Sequence, residues 1–247
     1  MLKIYGVPVS VHTRKVIVAA IEKGLQFENE PVIPFTPPPG WSELSPTGKI
    51  PVLTDGDISL ADSSVICTYL ERAYPQRPLY PVALRDHVAA RWFEEYAGGT
   101  LYREVVHPLF FQTFVRPRIL GQASDASIVE DTRANALPRV FGYLERSLGE
   151  RSTGERATGE RATGAKHFAG TTFSMADVAI ASNLINYQYL GFELDAAHYP
   201  RLSAFFADAI RAPALHAALR AEQPTAKAMG LSSEFLPARL FDHVQDR

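Results

Sequence analysis

The chain has 247 residues, of which 46% are apolar and 21% charged, an ordinary balance for a globular protein of one large or two modest domains. Its net charge of -2 offers no positive field for nucleic acid or for an anionic membrane surface. The single cysteine, Cys67, excludes an internal disulfide framework and a cysteine-rich zinc site, so no metal is expected. The apolar start after Met1 is too short for a signal peptide, and no apolar run could span a bilayer, so we expect a cytoplasmic protein.

The first eighty residues alternate between strand-like and helix-like patterns. Leu2–Gly6 alternates as a short strand, and apolar residues at helical spacing follow until Gly24, which ends that helix. Gln26–Ile33 predicts a second strand, and the proline-rich stretch 34–40 cannot be regular helix or central strand. Two apolar runs flank Asp55–Asp57 as a hairpin, and another helical stripe follows. The order is therefore βαβ, a loop, then ββα.

Beyond Tyr80 the apolar spacing is helical nearly throughout. The predicted helical segments are a long one from Asp86 through an aromatic run near residue 110, then Ile128–Leu148, 174–190, 200–211 and 213–222. The boundary falls near Tyr80-Pro81. The sequence thus predicts an α/β domain over residues 1–80 and an all-helical domain over residues 86–247.

A tandem repeat lies inside the helical part. The segment Thr153–Ala157 recurs as Thr158–Ala162 and then decays. It is polar and glycine-rich without an apolar face, so it cannot join a core. We interpret residues 151–166 as a flexible loop between helices, with a partner-binding arm as the alternative.

Three short motifs carry residues suited to binding a ligand, and each has a purely structural alternative. Ser10 lies between the first strand and helix, where its hydroxyl either caps the helix or meets an anion at the positive end of the helix dipole. Pro51 is either a strand-entry proline or part of a cis bond that exposes the backbone of Ile50 to an extended ligand. Asp62–Ser63 either caps the next helix or receives a ligand with both an ammonium and a carboxylate, such as an α-amino acid end.

A fourth motif has a structural interpretation only. Ser174 and Asp177 have the spacing of a capping box, and Phe173 and Val178 would form the hydrophobic staple that accompanies it. We expect this box to start a helix and to take no part in chemistry.

Taken together in this order, the motifs resemble those of the glutathione S-transferase family, chiefly its serine-type classes, phi-like and related bacterial members. The matching segments are Tyr5–Ser10 with Arg14–Val16, Ser45–Leu53, Ala61–Ser63 and Phe173–Asp177. The resemblance covers nearly the whole chain apart from the repeat and the last twenty or so residues. It implies a thioredoxin-like N-terminal domain that binds glutathione as co-substrate, an all-helical domain that completes a pocket for a small hydrophobic electrophile, and a homodimer.

The resemblance also assigns roles to individual residues. Ser10 would stabilise the glutathione thiolate, and the backbone of Ile50, next to a cis Pro51, would pair with the cysteinyl part. Asp62–Ser63 would hold the γ-glutamyl end. Lys49 stands where many relatives have glutamine and would meet the glycyl carboxylate.

His12 lies two residues beyond Ser10 and is predicted to line the mouth of the electrophile pocket, with an exposed or capping role as the alternative. By family position, the aromatic residues Phe110, Phe111 and Phe114 together favour a bulky apolar or aromatic second substrate. Core packing is the alternative for each aromatic residue. One departure from the family is the loop Pro34–Trp41, which contains no Lys, Arg or His where many relatives supply a cation for the glycyl carboxylate.

Three functions follow from the resemblance. The first is a detoxifying transferase in which the glutathione thiolate attacks an electrophilic carbon. The second is another glutathione-dependent reaction on the same site, such as peroxide reduction, isomerisation or ether cleavage. The third is a non-catalytic binding module, because this fold also occurs without activity. A cysteine-dependent mechanism is disfavoured because Cys67 lies on the third helix, where a small core residue is the expected role.

Overall fold

The computed structural model describes residues 1–153 and 166–236, and these residues divide into two units. One unit contains residues 1–80 and 211–236, and the other contains residues 81–210. The chain passes from the first unit to the second at Tyr80-Pro81. Residues 154–165, most of the predicted repeat loop, lie outside the described residues.

A four-stranded sheet forms the centre of the first unit. Its strands are β1 (Leu2–Tyr5), β2 (Phe27–Glu30), β3 (Val52–Asp55) and β4 (Ile58–Ala61), in the order β2-β1-β3-β4. The first pair is parallel and the other two are antiparallel. This is the mixed sheet that the βαβ-ββα pattern predicts, because only the connection through a helix joins parallel neighbours.

Three helices of this unit follow the order predicted from the sequence, with one addition. They are α1 (Val11–Glu22), α2 (Trp41–Leu44) and α3 (Ser63–Ala73). The chain leaves α1 through Gly24, whose φ of 70° is the left-handed conformation that glycine adopts readily. The single turn of α2 was not predicted; it buries Trp41 against Val32 and Val52 after the proline-rich loop.

Helices make up most of the described part of the second unit. Its α-helices are α4 (Leu84–Tyr96), α5 (His107–Phe110), α6 (Ala126–Asp131), α7 (Leu137–Thr153), α8 (Met175–Tyr189) and α9 (Pro200–Ala209). Nearly every residue of α8 is buried, so it is the central helix of the unit. Within residues 1–153 and 166–236, no helix combines the length and the apolar character needed to cross a membrane.

A π-helical stretch, Ala97–Val106, continues α4 without a break. At its start, the side-chain Nδ2 of Asn183 donates to the carbonyl oxygen of Ala97 at 3.2 Å, so a side chain of α8 takes up a carbonyl of this helix. At its end, the backbone N–H of His107 donates to the carbonyl of Tyr102, five residues earlier. The wider winding places these two rings 5.5 Å apart, which ordinary helical spacing would not do.

The predicted capping box at the start of α8 is confirmed. The carboxylate of Asp177 is fully buried and accepts from the backbone N–H and the hydroxyl of Ser174, at 2.8 and 3.0 Å. It also accepts from the backbone N–H of Phe168 at 2.9 Å. Asp177 therefore ties the segment before the helix to its first turn, as a structural residue.

The last helix, α10 (Pro213–Ala228), packs on α1 in the first unit, although it was predicted within a helical domain over residues 86–247. The physical reason is a buried ion pair. The Arg14 guanidinium donates through Nε and Nη2 to the two carboxylate oxygens of Glu222, both at 2.8 Å. This contact joins residues 208 positions apart, so it has no local signature in the sequence.

Candidate functional site

Ser10 occupies the N-cap of α1, so one of its two predicted roles is observed directly. Its Oγ accepts from the backbone N–H of Thr13 at 3.5 Å, which is at the long limit for a hydrogen bond. The hydroxyl proton has no acceptor among the described residues, and the side chain is partly exposed. Capping therefore leaves the Ser10 hydroxyl able to donate to a ligand.

Gly6 allows the start of α1 and the segment before β3 to come together. Its φ is 142°, and a Cβ atom at this position would lie 2.5 Å from Oγ1 of Thr13 and 3.1 Å from Cβ of Ile50. No side chain fits there without displacing both neighbours. The glycine thus permits the first turn of α1 and Ile50 to border the same space.

Ile50 lies just beyond the hydrogen-bonded ladder of the sheet. The pairing of β1 with β3 ends at Tyr5 and Val52, and the Ile50–Pro51 peptide bond is cis, as the resemblance implies. An extended ligand could therefore use the backbone groups of Ile50 as a further antiparallel rung.

Two hydrogen bonds from side chains to backbone carbonyl oxygens fix the loop before Ile50. The indole N–H of Trp41 donates to the carbonyl oxygen of Gly48 at 3.2 Å, and the hydroxyl of Ser45 donates to that of Lys49 at 2.7 Å. Trp41 is buried, so its polar group is used within the protein, whereas the Lys49 side chain is exposed. Lys49 is accordingly the cation that this loop offers to a ligand.

Asp62 and Ser63 form the start of α3. One carboxylate oxygen of Asp62 accepts from the backbone N–H groups of Ser64 and Val65, at 2.9 and 3.3 Å, and the side chain is exposed. Its φ of 82° is a costly conformation for a residue other than glycine, and such strain is concentrated at functional sites. Ser63 is buried, and the structure gives its hydroxyl no partner among the described residues. Both predicted roles, cap and ligand holder, are geometrically compatible.

His12 lies on the first turn of α1, among residues predicted to bind glutathione. Burial lowers its pKa to about 4, helped by the positive charges of Lys15 and Lys49 and opposed by the negative charge of Asp62. The imidazole is therefore neutral at pH 7. These neighbours all belong to the first unit, so His12 shares its surroundings with the predicted glutathione residues.

The three aromatic residues predicted for the electrophile form two stacks in the second unit. Phe110 stacks on Phe114 with ring centroids 5.0 Å apart, and Arg118 lies over the Phe114 ring at 5.3 Å. Phe111 stacks instead on His107, at 5.8 Å. Phe114 is buried, while Phe110 and Phe111 remain partly exposed, so only these two present ring surface to a ligand.

Sequence reasoning missed one contact beside the site. The ammonium group of Lys15 donates to the hydroxyl of Ser64 at 3.1 Å, joining the first turns of α1 and α3. The motif Asp62–Ser63 pointed to this helix start, but nothing local in the sequence paired it with a lysine on another helix. Cys67 is buried, as predicted, and no cluster of metal-ligating side chains occurs in the part of the chain that the structure describes.

Comparison with known families divides the chain into two matched regions. Residues 4–78 match the model of the glutathione S-transferase N-terminal domain, and residues 119–222 match that of the C-terminal domain. The first match contains every residue predicted to bind glutathione. The two matches together cover well over half of the chain.

Individual relatives agree with this assignment. Glutathione S-transferase 3 of Zea mays is 33% identical over 181 residues, covering 71% of this chain and 73% of the relative. A glutathione S-transferase of Triticum aestivum is 28% identical and covers 90% and 95%. The solved structure of glutathione S-transferase III in its apo form superimposes with a TM-score of 0.71 at 29% identity, over 90% of this chain and 97% of that one. The chain therefore belongs to the glutathione S-transferase family, with a thioredoxin-like first domain, and is a glutathione transferase.

Proposed function

We propose that glutathione binds at the N-terminal ends of α1 and α3, and that Ser10 donates a hydrogen bond to its thiolate. The observation that carries this proposal is the hydroxyl at the start of α1, whose proton has no acceptor among the described residues. Ser10 acts as a donor to an anion and never as a nucleophile. The thiol proton leaves to solvent as the thiolate forms. The thiolate sulfur then forms a bond to the electrophilic carbon of a second substrate, and the leaving group, chloride in a chlorinated nitroarene, departs with the electron pair of the broken bond.

One side chain can supply most of the free energy that ionisation of the glutathione thiol requires. A thiol with a pKa of about 8.5 is only about 3% ionised at neutral pH. Lowering that pKa by ~2 units requires ~2.7 kcal/mol of preferential stabilisation of the anion. A hydrogen bond to a charged group contributes ~1.5–3 kcal/mol, and a helix N-terminus adds ~0.3–1 kcal/mol. A serine at the start of a helix is therefore sufficient without a metal or a His–Asp pair.

Each of the other chemical groups of glutathione has a proposed partner in the protein. Lys49 would meet the glycyl carboxylate, and the backbone of Ile50 would pair with the cysteinyl residue. Asp62, with one carboxylate oxygen not engaged by the helix start, would accept the γ-glutamyl ammonium. Ser63 would bind the α-carboxylate through its hydroxyl and its own backbone N–H, because the next two N–H groups of the turn already donate to Asp62. His12, being neutral, would contribute as a hydrogen-bonding group within this set.

The second substrate is proposed to be a small apolar or aromatic electrophile that contacts the partly exposed rings of Phe110 and Phe111. Phe114 supports the ring of Phe110 from the buried side. Stacked aromatic faces favour flat apolar partners. This preference distinguishes conjugation of an aromatic electrophile from reduction of a small peroxide, which would gain little from such rings.

Binding and turnover of the purified protein test the proposal. We expect retention on immobilised glutathione and conjugation of a chlorinated nitroarene at a higher kcat/KM than reduction of tert-butyl hydroperoxide, which carries no aromatic ring. No retention, together with no heat of glutathione binding in calorimetry, would favour the non-catalytic module. Faster reduction of the peroxide would favour the second glutathione-dependent reaction on the same site.

We propose in addition that the transferase is a homodimer and that α4 contributes to the contact with a second copy. The supporting observation is a stripe of exposed apolar side chains, Leu84, Val88 and Trp92, at intervals of four residues on one face of the helix. Trp92 is already oriented, because its indole N–H donates to the hydroxyl of Tyr143 at 2.7 Å.

The mass of the protein in solution tests this second proposal. Light scattering should give twice the chain mass for the native protein and a monomer for Val88→Glu, because a buried carboxylate opposes association. A monomeric native protein would contradict the proposal, as would a dimer unaffected by the substitution.

A further inference from the structure

One face of α5 and of the residue that follows it carries a patch of three aromatic side chains. They are His107, Phe110 and Phe111, which lie three and four positions apart and therefore share a face of the helix. His107 is exposed, and the two phenylalanines are partly exposed. This aromatic patch thus presents two apolar rings and one polar ring side by side.

Two neighbouring rings fix the position of the His107 imidazole. It stacks on the ring of Phe111, with centroids 5.8 Å apart and an angle of 18° between the planes. The ring of Tyr102 contacts it at a steep angle, with centroids 5.5 Å apart. The second contact exists because the π-helical winding before His107 brings residues five positions apart onto one face. The imidazole is therefore held in place through its ring contacts.

The two ring nitrogens of His107 have no hydrogen-bond partner among residues 1–153 and 166–236. By contrast, the imidazole of His198, which is also exposed, is paired with Asp195 at 2.6 Å. Partial burial lowers the pKa of His107 from its ordinary value, so the ring is neutral at pH 7. A neutral imidazole has one N–H donor and one acceptor nitrogen. His107 thus offers a donor without a positive charge.

A ligand that fits the aromatic patch has a flat apolar body and an oxygen that accepts a hydrogen bond. The rings of Phe110 and Phe111 favour an aromatic body. A ligand that covers the patch displaces water from His107, so the N–H needs an acceptor on the ligand in place of that water. The second requirement discriminates more sharply than the first, because a site rejects ligands that leave its donor unpaired. A nitro or carbonyl oxygen on an aromatic ring satisfies both requirements.

We propose that His107 is a specificity-determining residue for the second substrate, and that the preferred electrophiles are aryl halides with a nitro or carbonyl oxygen conjugated to the reacting carbon. The inference rests on the proposed contact of the second substrate with Phe110 and Phe111. It adds a requirement for an acceptor oxygen to the aromatic preference that those two rings imply.

The hydrogen bond from His107 stabilises the charge that forms on this oxygen during the reaction. As the thiolate sulfur bonds to the ring carbon, an electron pair moves onto the conjugated oxygen, which accepts from the His107 N–H. The pair returns to the ring as the carbon–halogen bond breaks, and the halide leaves with the electrons of that bond. No proton is transferred to or from His107. The hydrogen bond accelerates the reaction because it is stronger to the charged oxygen than to the neutral one.

Two electrophiles that differ in this oxygen test the inference at saturating glutathione. 1-Chloro-2,4-dinitrobenzene places the developing charge on a nitro group, whereas benzyl chloride has an aromatic ring and no oxygen. We expect His107→Phe, which keeps an aromatic ring, to lower kcat/KM for the nitroarene about tenfold, as removal of one hydrogen bond to a charged group does. Its kcat/KM for benzyl chloride should stay within about twofold of the native value. His107→Gln retains an N–H donor and should recover most of the loss.

The matched control is His198→Leu, which removes another exposed histidine and should change neither rate. Should His107→Phe fold poorly by circular dichroism, His107→Leu removes the same donor with a smaller side chain. Equal losses with both electrophiles would overturn the inference, because they would indicate a role with glutathione or a general disturbance. An unchanged rate with the nitroarene in a folded variant would do so too. A native protein that neither binds glutathione nor conjugates either electrophile would instead refute the proposed function.

Discussion

Replacing Ser10 with alanine is expected to raise the pKa of the thiol of bound glutathione by about one to two units, because the anion loses one charge-assisted hydrogen bond. From a bound-thiol pKa of about 6.5, the thiolate fraction at pH 7 would fall from about three quarters to between about a quarter and about 3%, so kcat/KM should fall about 3- to 25-fold. Glutathione affinity should change little, because the remaining contacts involve other groups of the tripeptide. The measurement is a pH titration of the near-ultraviolet thiolate absorbance of the complex, with calorimetry to confirm that the ligand is bound.

Two further substitutions separate the hydroxyl from the helix cap, since Ser10 also accepts from Thr13. Ser10→Gly removes the hydroxyl at a capping cost of only a few tenths of a kcal/mol. It should shift the thiol pKa as alanine does. Ser10→Thr retains both the hydroxyl and the cap, so the pKa should stay closer to that of the native complex. A thiol pKa that stays at its native value in the alanine and glycine variants would remove Ser10 from the mechanism.

Much of the first unit could be predicted from local patterns. The alternation of Leu2–Tyr5, the turn at Gly56 and the order of strands and helices along the chain depend on neighbours in sequence. The pairing of β1 with β3 does not, because it joins strands that are distant in sequence. The capping box of Ser174 and Asp177 is equally local. The cis bond before Pro51, by contrast, was expected only once the motifs resembled a family, because proline alone also permits a plain strand entry.

What escaped prediction depends on contacts that are distant in sequence or on departures from regular winding. The relation of Tyr102 to His107 requires the π-helical stretch, where residues five apart share a face, and a search at 3.6-residue spacing misses it. The bond from Lys15 to Ser64 joins two helices and has no signature in either. His12 was assigned to the electrophile from its place near Ser10, while its burial and charged neighbours became visible only in three dimensions.

The second large effect is expected at the ion pair that holds α10 on α1. Arg14 and Glu222 have side chains that are 0% and 1% exposed, and two hydrogen bonds of 2.8 Å join them. Arg14→Met removes the guanidinium that donates both of these hydrogen bonds to the buried carboxylate of Glu222, so it should lower the free energy of unfolding by about 3–5 kcal/mol. Chemical denaturation with urea, followed by circular dichroism, measures this loss.

The double variant determines whether the ion pair contributes net stability or only offsets the cost of burying two charges. A buried ion pair replaced by apolar residues of similar volume is often no less stable, because two desolvated charges disappear together. Arg14→Met/Glu222→Leu should therefore recover most of the stability that Arg14→Met loses. The control is Lys3→Met at the exposed pair with Glu28, which should have little effect because water screens both charges. If Arg14→Met proved no more damaging than Lys3→Met, the attachment of α10 would depend on apolar packing alone.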